Sequence, residues 1–171
     1  MQIAVLRETE PGERRVALVP ESVRKLVGAG AKYVVLVGPY NLAKTPWATA
    51  IGQGELLLEA TGRFNEEMLV TLADMGSNVL YVDAAFHYNL LTSSPGSYNL
   101  NDSTSVMCNS VDAGPGIGIG AGQVNSARCT TSTLIPGYDY TRYVFADPVY
   151  PTPQAHRLFA EYAYNRVRTR W

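Results

Sequence analysis

The amino-acid sequence predicts an α/β fold in three layers, with helices on both faces of a parallel sheet. Over residues 3–83, short apolar runs alternate with segments whose apolar residues recur at helical spacing, in the order strand, helix, strand, helix, strand. The run YVVLV at residues 33–37 is continuously apolar and rich in β-branched residues. Such runs are typical of strands buried on both faces of a parallel sheet.

The length and composition predict one domain over residues 1–171. Apolar residues make up 46% of the 171 residues and charged residues 17%, which favours a globular protein over a disordered one. The net charge of −1 gives no electrostatic reason to expect nucleic acid or a membrane surface as a partner. No apolar run approaches the roughly 20 residues of a membrane-spanning helix. We expect no signal peptide, because charged Arg7, Glu8 and Glu10 follow the start at once.

Residues 1–37 are predicted to form a strand–helix–strand unit. The apolar run at residues 3–6 gives the first strand, a helix begins near Glu21 and ends at Gly28, and residues 33–37 give the second strand. The crossover between parallel strands is expected to be right-handed.

A loop is predicted over residues 38–54, followed by a helix over 55–75, a strand over 78–83 and a short helix over 86–91. Gly76 occupies a typical C-terminal cap position of the long helix. The helical periodicity predicts a buried stripe on that helix, made of Leu57, Phe64, Met68, Leu72 and Met75.

Residues 92–142 show no periodicity and are predicted to be a long ordered excursion. The segment contains both cysteines, Cys108 and Cys129. We expect a disulfide between them, the alternative being two free thiols, which a reducing cytosol would favour. A bond would close a loop of about 20 residues and contribute roughly 3 kcal/mol of stability.

Residues 143–171 are predicted to form a terminal strand and helix. An apolar run at residues 143–145 leads to Asp147, and Tyr150 follows three positions later. Thr152 is a favourable N-cap and Pro153 fits the first helical position. The predicted buried face of this helix consists of Ala155, Leu158, Phe159, Tyr162, Ala163 and Val167.

From about residue 21 to 171 the chain resembles the C-terminal half of an SGNH/GDSL esterase passenger domain, of the kind found in bacterial autotransporters. The matching segments read AGAKYVVLVGPYNLAKTP, FNEEML, SNVLYVD, the cysteine-flanked loop and FADPVYPTPQAHRLFAEY, in the family's order. The resemblance implies a flavodoxin-like fold, here truncated, with no cofactor and with a small ester as substrate, if any. It also suggests a secreted or outer-membrane origin.

In that family a final D-x-x-H-P block supplies the Asp and His of a Ser-His-Asp triad, and this chain has D-P-V-Y-P. The resemblance therefore makes Asp147 a candidate catalytic carboxylate and puts Tyr150 in the histidine position. A phenol with a pKa near 10 is a poor proton acceptor at neutral pH, and the Gly-Asp-Ser-Leu nucleophile block is absent from the sequence. The chain is thus expected to be a degenerate esterase with little or no activity. Alternatively, Asp147 caps the turn before the last helix, and Tyr150 either hydrogen-bonds Asp147 or packs against that helix.

The first 35 residues resemble the opening of alanine dehydrogenase and of the transhydrogenase α subunit, whose pattern is a strand, K-E, then E-x-R-V-A-x-x-P. Arg15 matches the arginine that binds the substrate carboxylate there. A recombined or designed chain would explain two resemblances in one sequence. The alternative functions are a truncated substrate domain of this type, or a non-catalytic scaffold or binding module that uses the long loop and the Gly-Pro-Tyr-Asn turn at residues 38–41.

The remaining candidate ligands are interpreted as structural. His87 and His156 are expected to pack or face solvent, and the Gly-x-Gly-x-Gly run at residues 116–120 lacks the preceding strand and following helix of a dinucleotide site. No His or Cys cluster has metal-ligand spacing. A sheet this short is expected to leave an exposed edge, which favours a homo-oligomer.

Overall fold

The computed structural model describes residues 20–171, so the predicted strand at residues 3–6 lies outside them. Within this range the elements alternate between helix and strand, and several 3₁₀ turns join them. The helices are α1 (Pro20–Gly28), α2 (Pro46–Ile51), α3 (Gly54–Leu72), α4 (Ala84–Ser93) and α5 (Pro153–Arg170). The strands are β1 (Val34–Val37), β2 (Val79–Val82), β3 (Asp102–Val106), β4 (Val111–Asp112), β5 (Gln123–Val124) and β6 (Tyr143–Phe145).

The strands pair two by two. β1 runs parallel to β2 with Val34 opposite Val79, and β3 runs parallel to β6 with Asp102 opposite Tyr143. β4 and β5 form an antiparallel hairpin. The predicted mixed α/β class with parallel pairing is therefore confirmed for residues 20–171.

One face of the β1–β2 pair carries an aliphatic core under α1 and α3. Its buried members are Val23, Val34, Leu36, Met68, Leu72 and Val79, which we call the aliphatic core. The other face contradicts the prediction that β1 is buried on both sides, because Val35 and Val37 are 40% and 46% exposed. The parallel register places Val82 on this same face, where it is fully buried, since α5 packs over β2. The predicted homo-oligomer through an exposed sheet edge stays a prediction.

The predicted stripe of α3 is wrong at Phe64, which is 55% exposed. Thr61 and Asn65 face inward instead, and both are buried. They can do so because their polar groups find local partners: the Thr61 hydroxyl donates to the Leu57 carbonyl at 2.7 Å, and the Asn65 amide donates to the Pro39 carbonyl at 2.9 Å. The helix also ends at Leu72, earlier than predicted, and continues as a 3₁₀ segment (Ala73–Asn78) in which Gly76 has a φ of 67°.

The loop predicted over residues 38–54 in fact contains a 3₁₀ turn (Leu42–Lys44) and α2. The hydroxyl oxygen of Thr45 accepts from the Ala48 amide at 3.1 Å, and Pro46 occupies the first helical position. This pair is an ordinary helix-start signal. Similarly, α4 is longer than the predicted 86–91, because the Asp83 carboxylate accepts from the Phe86 amide at 2.8 Å and starts the helix earlier.

A second core lies where α4 and α5 pack around β6. Its buried members are Ala84, Tyr88, Leu91, Leu100, Val144, Phe145 and Ala155, with Tyr40, Tyr98, Leu158 and Phe159 half-buried against them; we call it the aromatic core. The predicted cap of α5 is confirmed: the Thr152 hydroxyl oxygen accepts from the Ala155 amide at 3.2 Å. None of the helices described here is long and apolar enough to cross a membrane.

The excursion at residues 92–142, in which no periodic elements were predicted, contains the strands β3, β4 and β5. β3 has the polar sequence DSTSV, in which apolar alternation is lost, and it is nevertheless a partner of buried β6. The Cys108–Cys129 disulfide is present, with the two Cα atoms 5.9 Å apart. It joins the segment after β3 to the 3₁₀ turn at Ser126–Arg128.

Candidate functional site

Asp147, the predicted catalytic carboxylate, is fully buried at the end of β6. One carboxylate oxygen, Oδ1, accepts from the backbone amides of Val149 at 2.8 Å and Tyr150 at 2.6 Å. The other, Oδ2, accepts from the backbone amide of Ser126 at 2.9 Å. Both oxygens are thus occupied by backbone donors, one of them from the excursion.

The segment that follows, residues 147–151, is held from several sides, and we call it the Asp147 turn. The Tyr150 carbonyl accepts from the amides of Ala146 at 2.9 Å and Asp147 at 3.3 Å. The Pro148 carbonyl accepts from the Trp47 amide of α2 at 2.9 Å. The Tyr40 hydroxyl donates to the Val149 carbonyl. The turn is therefore a junction of β6, α2, the excursion and the Gly-Pro-Tyr-Asn turn.

Tyr150, in the family's histidine position, donates a hydrogen bond to Asp147 from its backbone amide and not from its phenol. Its side chain is 43% exposed, and its hydroxyl makes no hydrogen bond to the buried carboxylate. The structure thus brings the two predicted residues together in one turn without forming an acid–base pair. Of the two predicted roles for Asp147, the observed contacts are those of a turn cap.

The Gly-Pro-Tyr-Asn turn requires glycine at its first position. A Cβ at Gly38 would lie 2.2 Å from the Tyr81 hydroxyl oxygen and 2.3 Å from Asn65 Oδ1. The Tyr81 hydroxyl donates to Asn65 Oδ1 at 2.9 Å. Burial raises the pKa of Tyr81 to about 12 and also raises the pKa of Tyr40, so both phenols remain protonated donors at neutral pH.

A second buried carboxylate, Asp112, was not predicted as a site residue. Its Oδ2 accepts from the Asn125 side-chain amide at 2.8 Å, and its Oδ1 lies 3.0 Å from both the Gly114 amide and Arg128 Nη2. The pKa of Asp112 is lowered chiefly by the Asn125 hydrogen bond, then by the Gly114 amide, with a further contribution from the Arg128 charge. Its side-chain partners, Asn125 and Arg128, are polar and distant in sequence, so hydrophobic periodicity gave no signal for this cluster.

The 3₁₀ turn Ser126–Arg128 connects the two carboxylates. The Ser126 amide donates a hydrogen bond to Asp147, and the Arg128 guanidinium forms an ion pair with Asp112. The next residue, Cys129, forms the disulfide with Cys108. The glycine-rich run lies at the tip of the β4–β5 hairpin, so a short strand does precede it, contrary to the expectation, while no helix begins at the run. Four of its glycines have positive φ, namely Gly116, Gly118, Gly120 and Gly122.

Neither histidine provides a base for Asp147. His87 is buried between α4 and α5, and His156 lies on the exposed part of α5. The third predicted residue, Arg15, lies outside the described residues. Within the described range, no group of three or more His, Cys, Asp or Glu could hold a metal ion.

An open groove of about 680 Å³ lies between α2 and the start of α3. Its walls include Ala43, Gly52, Gly54 and the carboxylates of Glu55 and Glu59. None of the predicted catalytic residues lines it.

No protein-family model matches this chain, and none of the curated proteins matches it. The assignment to the SGNH/GDSL esterases therefore stays a prediction from the sequence motifs.

Proposed function

We propose that this chain is a degenerate domain of the SGNH/GDSL esterase type that serves as a scaffold and does not hydrolyse esters. The observation that carries the proposal is that Asp147 is fully buried and accepts hydrogen bonds from the backbone amides of Ser126, Val149 and Tyr150, with no histidine among its partners. A triad carboxylate acts by accepting a hydrogen bond from the Nδ1–H of its histidine. No imidazole is among the hydrogen-bond partners of Asp147, and the fully buried carboxylate instead holds three backbone amides.

The other parts of the reaction are missing as well. Attack on an ester needs a nucleophile activated by a base, and triad members act as a unit, so the loss of one removes most of the rate enhancement. The chain has no Gly-Asp-Ser-Leu block, and the phenol of Tyr150 is partly exposed and makes no hydrogen bond to Asp147. These features support a domain whose former catalytic block has become a structural junction.

The layering of helices supports the flavodoxin-like arrangement implied by the resemblance. α1 and α3 cover one face of the parallel β1–β2 pair, and α5 packs against β2, whose Val82 is fully buried on the opposite face. Helices on both faces of parallel strands are the hallmark of that architecture. A three-layer arrangement, with helices on both faces of a parallel sheet, is thus part of the proposal.

Turnover of a short-chain p-nitrophenyl ester by the purified protein tests the proposal. We expect no hydrolysis above buffer and no serine labelled by a fluorophosphonate. The matched variant Tyr150→His restores the family's D-x-x-H-P block, and we expect it to remain inactive because the Gly-Asp-Ser-Leu nucleophile block is absent. Saturable turnover that disappears in Asp147→Asn, with the fold retained, would overturn the proposal.

A binding module is the second candidate, and the hairpin tip at residues 113–122 favours it. Asp112 anchors this tip through the Gly114 amide, and the Gly122 amide donates to the Asp112 carbonyl at 2.8 Å. An exposed loop whose two ends are anchored in this way loses less entropy on binding a partner than an unanchored loop of the same length. The tip is therefore the surface on which a partner would be recognised.

Shortening the tip tests this candidate. Residues 115–120 are replaced by Asn-Gly, so that Asp112, Gly114, Gly122 and the disulfide are retained. We expect interaction capture with the full chain as bait to yield a partner that binds the shortened variant at least tenfold more weakly. Equal binding by both proteins would exclude the tip as the surface.

A further inference from the structure

His87 lies inside an aromatic cluster at the contact between α4 and α5. Its ring stacks on Tyr162 of α5, with centroids 4.8 Å apart and an interplanar angle of 18°. The rings of Tyr88, Tyr98 and Phe159 lie around it with centroids 5.8 to 6.1 Å from its own. The residue is only 5% exposed.

The polar edge of this imidazole is not satisfied. Nε2 is buried and has no hydrogen-bond partner among the described residues. A neutral imidazole can leave one nitrogen without a partner at the cost of a single weak hydrogen bond, whereas an imidazolium carries two N–H donors and a charge. Burying that charge without an acceptor costs far more.

The charges around His87 do not compensate for a proton. On α4, Asp83 is one turn earlier and already caps the helix through the Phe86 amide; His87 itself lies in the first turn, where the helix dipole disfavours a cation. On α5, Tyr162 is the stacking partner, and Arg166 is close enough to act on the Tyr162 phenol. The phenols that complete the surroundings belong to Tyr88 of α4 and Tyr98 of the following 3₁₀ turn.

We propose that His87 is a proton-sensitive latch, which holds α5 against α4 when neutral and releases it when protonated. Burial lowers the pKa of His87 from its usual value, in agreement with this geometry. Because the folded-state pKa lies below the unfolded-state value near 6.5, the unfolded or opened chain binds more protons in this range. The contribution of His87 to stability is thus complete above about pH 6.5 and is lost as the pH falls from there through the folded-state pKa.

The latch is connected to the Asp147 turn through two rings. Tyr88, the neighbour of His87, lies with its ring centroid 4.9 Å from that of Tyr40. The Tyr40 hydroxyl holds the Val149 carbonyl of the turn. Movement of α5 away from α4 therefore loosens the packing behind Tyr40 and exposes the amides that cap Asp147.

Three measurements on the full chain test the proposal. An NMR titration follows the His87 and His156 ring protons, which distinguishes the only two histidines in the sequence. Thermal unfolding is recorded from pH 7.5 to 5.0. Hydrogen exchange of the Val149 and Tyr150 amides, corrected for intrinsic rates, is compared with that of the β1 amides. We expect His87 to titrate below the usual histidine range, Tm to fall by several degrees, and the turn amides to lose protection at least tenfold more than those of β1.

Two variants separate the latch from general acid effects. His87→Phe keeps an aromatic ring and cannot be protonated, so its Tm should be nearly constant over this pH range. His156→Gln should behave like the unmodified protein, because the His156 ring lies on the exposed part of α5. A His87 pKa at or above 6.5, or an equal loss of Tm in His87→Phe, would overturn the proposal. If His87→Phe does not fold, the NMR pKa of the unmodified chain decides.

Discussion

The aliphatic core and the aromatic core are built by different means. The aliphatic core joins α1, α3, β1 and β2 through side chains such as Leu36, Met68 and Val79, and helices and strands of regular periodicity supply all of them. The aromatic core depends on β6, a strand of three residues, and the segments around it are fixed by side chains that bind backbone groups. Such side chains belong to Asp147, Thr152 and Asp112. The backbone groups that they bind lie up to 21 residues away along the chain, the longest separation being that between Asp147 and Ser126.

This difference shows that polar anchors can replace regular secondary structure as the source of order. The excursion at residues 92–142 has little periodic pattern, yet the Asp147 carboxylate holds it to the end of β6 and the Cys108–Cys129 disulfide joins two of its segments. The Cys108 amide also donates to the Ala146 carbonyl at 3.0 Å. Variants that remove these polar anchors should therefore lower the stability of the aromatic core and the excursion far more than that of the aliphatic core.

The largest effect is expected for Asp147→Ala. It leaves three amides without their acceptor in a buried place, and we expect a loss of about 4 kcal/mol in the free energy of unfolding. Asp147→Asn keeps one oxygen but turns an N–H group toward an amide donor, so about half of that loss should remain. Urea unfolding gives both values. The exposed cap Asp139→Ala is the control, and a loss as large as that of Asp147→Ala would contradict the special role of the buried carboxylate.

The second effect concerns the disulfide. Replacing both Cys108 and Cys129 by Ser should cost about 3 kcal/mol, because a loop of about 20 residues regains its freedom in the unfolded chain. Hydrogen exchange should show that protection is lost at Asn125 and Ser126, while the β1 and β2 amides keep theirs. Uniform loss across both regions would mean that they unfold as one unit.

Gly38→Ala should produce a smaller loss of about 2 kcal/mol, as is typical of an added methyl group in a packed place. The new Cβ would push apart the Tyr81 hydroxyl and Asn65 Oδ1, which are hydrogen-bonded to each other. Thermal unfolding measures the loss, and Gly62→Ala is a suitable control. Gly62 is exposed on α3, and a Cβ added there would meet no atom within 4 Å, so this change should stabilise the helix slightly. A Gly38→Ala protein as stable as the original would show that the turn can widen freely.

The smallest effect is expected at Phe64. Because its ring is 55% exposed, Phe64→Ser should stay within about 0.5 kcal/mol of the original stability. Met68→Ala, one turn later in the aliphatic core, should cost about 3 kcal/mol. Chemical denaturation of the two variants compares them directly, and a large loss at Phe64 would restore the stripe that the periodicity predicts.

The regular elements could be predicted because their signals are local. The strand at residues 33–37, the long helix and the Thr152-Pro153 helix start follow from neighbouring residues, and the structure contains them. The burial of the Thr61 and Asn65 side chains on α3 could not be predicted. For Asn65 it depends on hydrogen bonds to the Pro39 carbonyl and the Tyr81 phenol, which are distant in sequence. The Asp112 cluster was missed for the same reason.

The sequence names Asp147 and Tyr150 as candidate residues but could not show how their side chains are arranged. The sequence places Asp147 and Tyr150 three positions apart, and both lie in one turn. What the spacing could not show is that the Ser126 amide, 21 residues earlier, occupies the second carboxylate oxygen. A contact of that kind depends on the path of the whole excursion.

The parallel pairing of β3 with β6 has a consequence for the time course of folding. β6 begins at Tyr143, some 37 residues after the end of β3 at Val106. At a synthesis rate of about 5–20 residues per second, β3 and the cysteine-containing segment are therefore made several seconds before β6, the strand that pairs with β3. An oxidising enzyme or chaperone that acts in that interval would meet Cys108 and Cys129 while the segment between them is still unanchored.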